Sequence, residues 1–235
     1  MRLSSARAHD AAVLLSTQGA VYIEVPKVAC TSIKITLARL VGIDLAAVGG
    51  DPHKIPFPVP PPRQTGPALY PGLFSFAFVR NPWDRLASCY RDKILGETRD
   101  FTAFHPARHV AYCLARFDVF RAGMSFDEFV EAVATIPDEE ADDHFRSQHT
   151  FVTNARGDVA IDFLGKFETL ALDFGRVCER LGLPSLALPR VQAANTPKRY
   201  TAFYTPRTRD IVASRFSEDV QLFRYEFGSY EFGSE

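Results

Sequence analysis

The run Leu73-Phe-Ser-Phe-Ala-Phe-Val79 constrains this chain more than any other. It is apolar almost throughout, as a central parallel strand covered on both faces would be. Arg80-Asn-Pro82 follows at once, and Asn-Pro makes a turn. Trp83, Leu86, Ala87, Tyr90 and Ile94 then recur with helical spacing. A strand, a tight loop and a helix are predicted in that order.

The same unit occurs earlier. Ala20-Val-Tyr-Ile-Glu-Val25 is a short β-branched and aromatic run, and Pro26 ends it. Ile33, Leu37, Leu40 and Val41 then recur at helical spacing. A third strand is predicted over Ala160-Ile-Asp-Phe-Leu164, followed by a helix from Glu168 to Leu181 with Gly182 near its end. Further helices are expected over His109–Phe120, after the capping-box pattern Ser125-Phe-Asp-Glu128, and from Thr205-Pro206 to about Phe223. Strands alternating with helices imply parallel crossovers. The expected fold is therefore α/β, a P-loop-like three-layer sandwich with a central, mainly parallel sheet and helices on both faces.

Between the first two units, residues 49–72 carry eight prolines, which exclude regular helix and most strand pairing. The segment reads as a surface excursion within one domain whose core runs from about 20 to 228, because the strand-helix pattern resumes after it. The tail repeats Glu226-Phe-Gly-Ser229 as Glu231-Phe-Gly-Ser234, and two copies of so short a unit carry no functional meaning.

A net charge of −1 gives no global field for nucleic acid or an anionic membrane, so any anion site must be local. No uncharged apolar stretch of about 20 residues is present to span a bilayer, and residues 1–20 lack the apolar run of a signal peptide. Cys30, Cys89, Cys113 and Cys178 are scattered without metal-ligand spacing, and Cys89 and Cys113 read as small buried hydrophobes. A soluble cytoplasmic protein is expected.

Two loops are suited to anions. In Val25-Pro-Lys-Val-Ala-Cys-Thr-Ser-Ile-Lys34 the strand gives way to a helix, whose first amides lack internal partners. Lys27 adds a charge, Thr31 and Ser32 add hydroxyls, and small Ala29 and Cys30 allow close approach. Alternatively, Thr31 or Ser32 is a simple N-cap and Lys27 a solvated lysine. One crossover later, Arg80 stands at the carboxyl end of a strand with Ser88 on the far side of the next helix, and the pair can hold a phosphate. The alternative there is an ion pair of Arg80 with Asp84. Two such loops at one sheet edge suit a ligand with two separated phosphate-type groups.

These two motifs resemble the paired donor signatures of the carbohydrate sulfotransferases, in particular the group of HNK-1 and chondroitin 4-O enzymes with their bacterial relatives. His144-Phe-Arg-Ser-Gln148, Asp162-Phe-Leu-Gly-Lys-Phe-Glu168, Asn195, Tyr204 and Asp219 to Phe227 resemble later blocks of that family in the same order. The resemblance implies transfer of a sulfuryl group from 3′-phosphoadenosine 5′-phosphosulfate (PAPS) to a carbohydrate hydroxyl. By resemblance, Lys27 is the catalytic lysine, and the loop Lys27, Val28, Ala29, Cys30, Thr31 and Ser32 holds the 5′-phosphosulfate. Arg80 and Ser88 hold the 3′-phosphate. Lys198 and Arg199, which follow Asn195 in a loop, read either as reaching that phosphate or an acidic acceptor or as a solvated basic pair.

The acceptor hydroxyl needs a base, and two histidines compete. His53, in the proline-rich segment, is preferred because related 2-O-sulfotransferases keep a histidine there. His144, in a block resembling His-Trp-x-Pro-Gln, could act as base, position the acceptor or brace the fold. No metal is expected. The rival readings are a P-loop kinase using ATP, which lacks its glycine-rich signature here, and a noncatalytic protein that binds the desulfated nucleotide, 3′-phosphoadenosine 5′-phosphate (PAP).

Overall fold

A computed structural model of the chain describes residues 12–96, 105, 109–184, 186–189 and 199–229. Its contacts divide the chain into two compact units.

The first unit, over residues 12–25, 29–79 and 149–189, holds the sheet. Strands β1 (Ala12–Leu15), β2 (Ala20–Ile23), β3 (Phe74–Val79) and β4 (Phe163–Lys166) lie in the order β1-β2-β3-β4. β2, β3 and β4 are parallel, with Ala20 opposite Phe74 and Phe76 opposite Phe163. β1 is an antiparallel edge, too short and too plain in sequence to be recognised beforehand. Helices α1 (Cys30–Leu40) and α6 (Leu170–Arg180) belong to the same unit, as does the short α5 (His149–Val152). The expected α/β class, with a mainly parallel sheet, is the class observed.

All four residues of β2 and five of the six in β3 are buried, which is why these runs lack an alternating polar face. Tyr22 packs on Phe76 and Phe78 on Phe174, with ring centroids 5.4 and 6.3 Å apart. Gly165 in β4 permits this packing, because a Cβ there would meet the Phe78 ring at 2.5 Å. Asp162 accepts from the backbone N–H and hydroxyl of Ser75, each at 2.8 Å, and so fixes the start of β4 against β3.

The proline-rich excursion is anchored within this unit. The Arg63 guanidinium donates to the carbonyls of Thr150 and Thr153 at 3.1 and 2.9 Å, and Leu69 N–H donates to the Ala160 carbonyl at 2.9 Å.

The second unit, over residues 26–28, 80–148 and 190–235, is helical where it is described. It holds α2 (Pro82–Lys93), α3 (Tyr112–Ala115), α4 (Phe126–Ala134), α7 (Pro206–Arg215) and α8 (Ser217–Phe223). Ser125 and Glu128 form the expected capping box at α4. Thr205 and Thr208 form another at α7, where Pro206 occupies the first turn.

Two expected helices are shorter than their patterns. His109 has a left-handed φ of 51°, so the helix expected from that residue is confined to α3. The helix expected to run to Phe223 is interrupted at Phe216, whose ψ of 31° ends α7 before α8 begins. The unit's core is aromatic: Tyr90 packs on Phe129 at 5.4 Å, Phe120 on Phe145 at 5.7 Å, and Phe126 on Tyr204 at 4.8 Å. Each such ring, fully buried, contributes about 2–3 kcal/mol by removal from water.

Candidate active site

The segment between β2 and α1 departs from ordinary backbone. Lys27 and Ala29 have φ of 69° and 53°, left-handed values at residues that carry a Cβ. Each costs about 1 kcal/mol or more, and such outliers persist where the surroundings enforce them, often at ligand clamps. Ala29 is the N-cap of α1 and has no polar atom with which to cap it. The expectation that Thr31 or Ser32 was a simple N-cap fails, since both lie inside the helix and are buried. Ala29 therefore makes no side-chain cap bond to the first amides of α1, the end of a helix that favours an anion. Val28 is fully buried and Cys30 half-buried. Lys34, which ends the motif, pairs with Glu24 at 3.0 Å and ties α1 to the strand before it.

The second loop begins at Arg80. Asn81 caps α2, its side-chain oxygen accepting from Trp83 N–H at 3.1 Å. Arg80 donates through Nε to Asp84 at 2.8 Å, so the predicted alternative ion pair is real. It also donates through Nη1 to the Lys27 carbonyl at 3.0 Å, which brings the two signature residues together. Ser88 is half-buried on α2, two helical steps of four beyond Arg80 and one beyond Asp84, on the same side of the helix.

Lys27 Nζ lies 2.8 Å from Asp92, and Lys93 reaches the same carboxylate oxygen at 3.1 Å. Neither partner was singled out from sequence, although both lie on the helix that follows Arg80. Arg85, almost wholly buried on α2, donates to the carbonyls of Pro26, Asp143 and Arg146 at 2.9, 2.8 and 2.7 Å. One side chain thereby joins the Lys27 loop to the turn that bears His144.

His144 Nδ1 sits 2.6 Å from Asp142, whose other oxygen is 3.8 Å from Arg116. Burial lowers the imidazole pKa below its ordinary value, with Lys93 and Lys27 adding to that effect and Asp142 opposing it. Burial works to raise Asp142, but the bonds from His144 outweigh it and hold the carboxyl below its usual range. Asp142 thus orients an imidazole whose charged form is disfavoured by burial, Lys93 and Lys27.

Cys113, expected to be a buried hydrophobe, is instead half-buried beside this pair. A ligand atom each from Cys113, Asp142 and His144 lies within 4.8 Å of the others. The donors are of transition-metal type. Burial and the Asp142 charge push the Cys113 thiol up to about 11, and Lys93 and Lys27 already bring positive charge to the group.

His53 is carried by a short 3-10 turn, Pro52–Lys54, in the first unit, and its imidazole is not among the described groups. Lys198 and Asn195 lie outside the described residues. Tyr204 donates to the Trp83 carbonyl at 2.8 Å and so braces the first turn of α2. Among the described residues, no helix is long and apolar enough to cross a membrane.

A family model described as "Sulfotransferase family" matches residues 12–226. Among curated proteins, carbohydrate sulfotransferase 14 of Mus musculus is 28% identical over 218 residues, 87% of this chain and 57% of that protein. Its Danio rerio counterpart is 25% identical over 197 residues, 80% of this chain and 51% of that protein. The chain therefore spans little more than half the length of these relatives. A crystal structure of a sulfotransferase from Alicyclobacillus acidocaldarius overlaps 68% of this chain and 58% of its own at TM-score 0.34 and 17% identity. That overlap is too loose to place any residue.

Proposed function

Because the chain belongs to the sulfotransferase family, we propose that it moves the sulfuryl group of PAPS to a hydroxyl of a carbohydrate acceptor. The family supplies the donor, and the names of the two relatives supply the acceptor class. The observation that carries the reading is the bond from Arg80 Nη1 to the Lys27 carbonyl, which joins two loops of anion-binding character.

In this reading Arg80 and Ser88 take the 3′-phosphate. The loop Lys27-Val-Ala-Cys-Thr-Ser32, with the first turn of α1, takes the 5′-phosphosulfate. The acceptor oxygen attacks sulfur in line, and the bond from sulfur to the bridging oxygen of the 5′-phosphate breaks. The electron pair goes to that oxygen, and Lys27 stabilises the charge developing there.

The acceptor proton passes to His144 Nε2, while Asp142 holds Nδ1 and fixes the tautomer. His144 takes this role in preference to His53 because its ring is held at 2.6 Å by a carboxylate and senses Lys27. No step needs a metal.

The test is a transfer assay with labelled PAPS against a panel of glycans, with mass spectrometry of the products. A sulfated glycan that appears only with PAPS, and without added divalent ions, is the expected result. Transfer of phosphate from ATP, or PAP binding with no turnover on any hydroxyl acceptor, would overturn it.

A further inference from the structure

We infer that Gln148 is a positioning residue for recognition of the donor's 3′-phosphate, acting through the backbone of Arg80. The inference rests on the assignment of Arg80 to that phosphate made above.

Arg80 stands one residue past the end of β3, where the pairing with β4 stops at Val79 and Lys166. Its peptide N–H and C=O have run out of strand. The Gln148 side chain takes the place of a strand at both atoms. Its Oε1 accepts from Arg80 N–H at 2.9 Å, and its Nε2 donates to the Arg80 carbonyl at 2.8 Å. A glutamine amide has the donor and acceptor of a peptide unit side by side, so it can satisfy both at once.

Gln148 is itself held. Its backbone N–H donates to Asp219 at 2.7 Å, and its Nε2 approaches the same carboxylate oxygen at 3.4 Å. Both residues are 0% exposed. The carboxylate also fixes which way the amide points. Turned over, the amide would set its oxygen against Asp219 and its NH2 against the Arg80 N–H. Asp219 orients Gln148, and Gln148 holds the Arg80 peptide.

The guanidinium of Arg80 is aimed by that backbone. Its Nε meets Asp84 and its Nη1 meets the Lys27 carbonyl, so a shift of the peptide would move both bonds. A phosphate read by a planar guanidinium is sensitive to such a shift, because the paired N–H bonds must stay in register with the oxygens. The block His144-Phe-Arg-Ser-Gln148 thus has two ends with different work, a base at its start and a backbone splint at its close.

The experiment compares PAP with adenosine 5′-monophosphate, which lacks the 3′-phosphate, by titration calorimetry on the full chain. Gln148→Met keeps the bulk and removes both bonds to Arg80. It should weaken PAP by about tenfold or more while changing adenosine 5′-monophosphate less than about twofold, so the preference between the two collapses. Arg80→Ala should collapse the same preference, and the double variant should lose little beyond Arg80→Ala alone.

Equal weakening of both nucleotides in Gln148→Met marks a merely structural role and overturns the inference. A preserved preference in Gln148→Met beside a lost one in Arg80→Ala overturns it too, while sparing the Arg80 assignment. A preserved preference in Arg80→Ala sinks the assignment and the inference together. Should Gln148→Met not fold, Gln148→Asn, which withdraws the same amide by one carbon, is read by the same ratio with a smaller expected loss.

Discussion

Lys27 Nζ is bonded to Asp92 at 2.8 Å, so the lysine assigned to the leaving phosphate is held by a carboxylate. Lys93 shares that carboxylate oxygen at 3.1 Å, so one aspartate holds two lysines. Lys27→Ala should lower turnover by on the order of 10²–10³ while PAP affinity changes only a few-fold. Single-turnover kinetics beside PAP titration separate the two. A variant that loses binding and keeps chemistry would place Lys27 in donor recognition instead.

The acid side of the pH profile should belong to His144. Burial, with Lys93 and Lys27, depresses its pKa against the pull of Asp142. The imidazole then stays neutral below the ordinary histidine value of about 6.5, and turnover should fall only at lower pH than that. The stability linkage has the same direction. The unfolded chain takes up a proton at about pH 6.5 and the folded chain only below it, so this contribution is present above that pH and is lost as pH falls through the folded value. Asp142→Asn removes the one influence that raises the imidazole, so the acid limb should move lower still, with reduced turnover. A limb that stays in place would remove His144 from the rate law.

His144→Ala should cost on the order of 10²–10⁴ in turnover with PAP binding retained. His53→Ala, measured beside it, should keep most of the activity. The reverse pattern would return the base to the proline-rich segment.

Much of the first unit's fold was readable from the chain. Phe74–Val79 announces a strand buried on both faces because every position in it is apolar or small. Ser125 with Glu128, and Thr205 with Pro206, announce helix starts because a cap is a local event. The edge strand Ala12–Leu15 has no such signature, and the break at Phe216 interrupts an apolar pattern that continues through it.

The candidate site divides along the same line. Lys27, Arg80 and Ser88 follow from motifs that are continuous in sequence. Asp92, Arg85 and the task of Gln148 depend on partners 58 to 71 residues away, and no local pattern encodes such pairs.

Gly165→Ala should destabilise the first unit by about 1–3 kcal/mol, because the added methyl lies 2.5 Å from a ring carbon of Phe78 and 3.0 Å from Cβ of Asp173. Chemical denaturation should show a lower midpoint at unchanged slope. A variant as stable as the parent would mean that the Phe78 ring yields without loss.

The first copy of the repeated tail, Glu226-Phe-Gly-Ser229, is built into the molecule. Phe227 packs on Trp83, Tyr200 and Tyr204 at 5.7, 5.8 and 5.4 Å, and Asn81 Nδ2 donates to the Glu226 carbonyl at 2.9 Å. Gly228 N–H donates to the Tyr200 hydroxyl at 2.7 Å. For protein engineering this sets a cutting point. An expression tag or fusion partner belongs after Ser229, whereas a chain stopped at Tyr225 would strip the latch from the residue that opens α2, immediately beside Arg80.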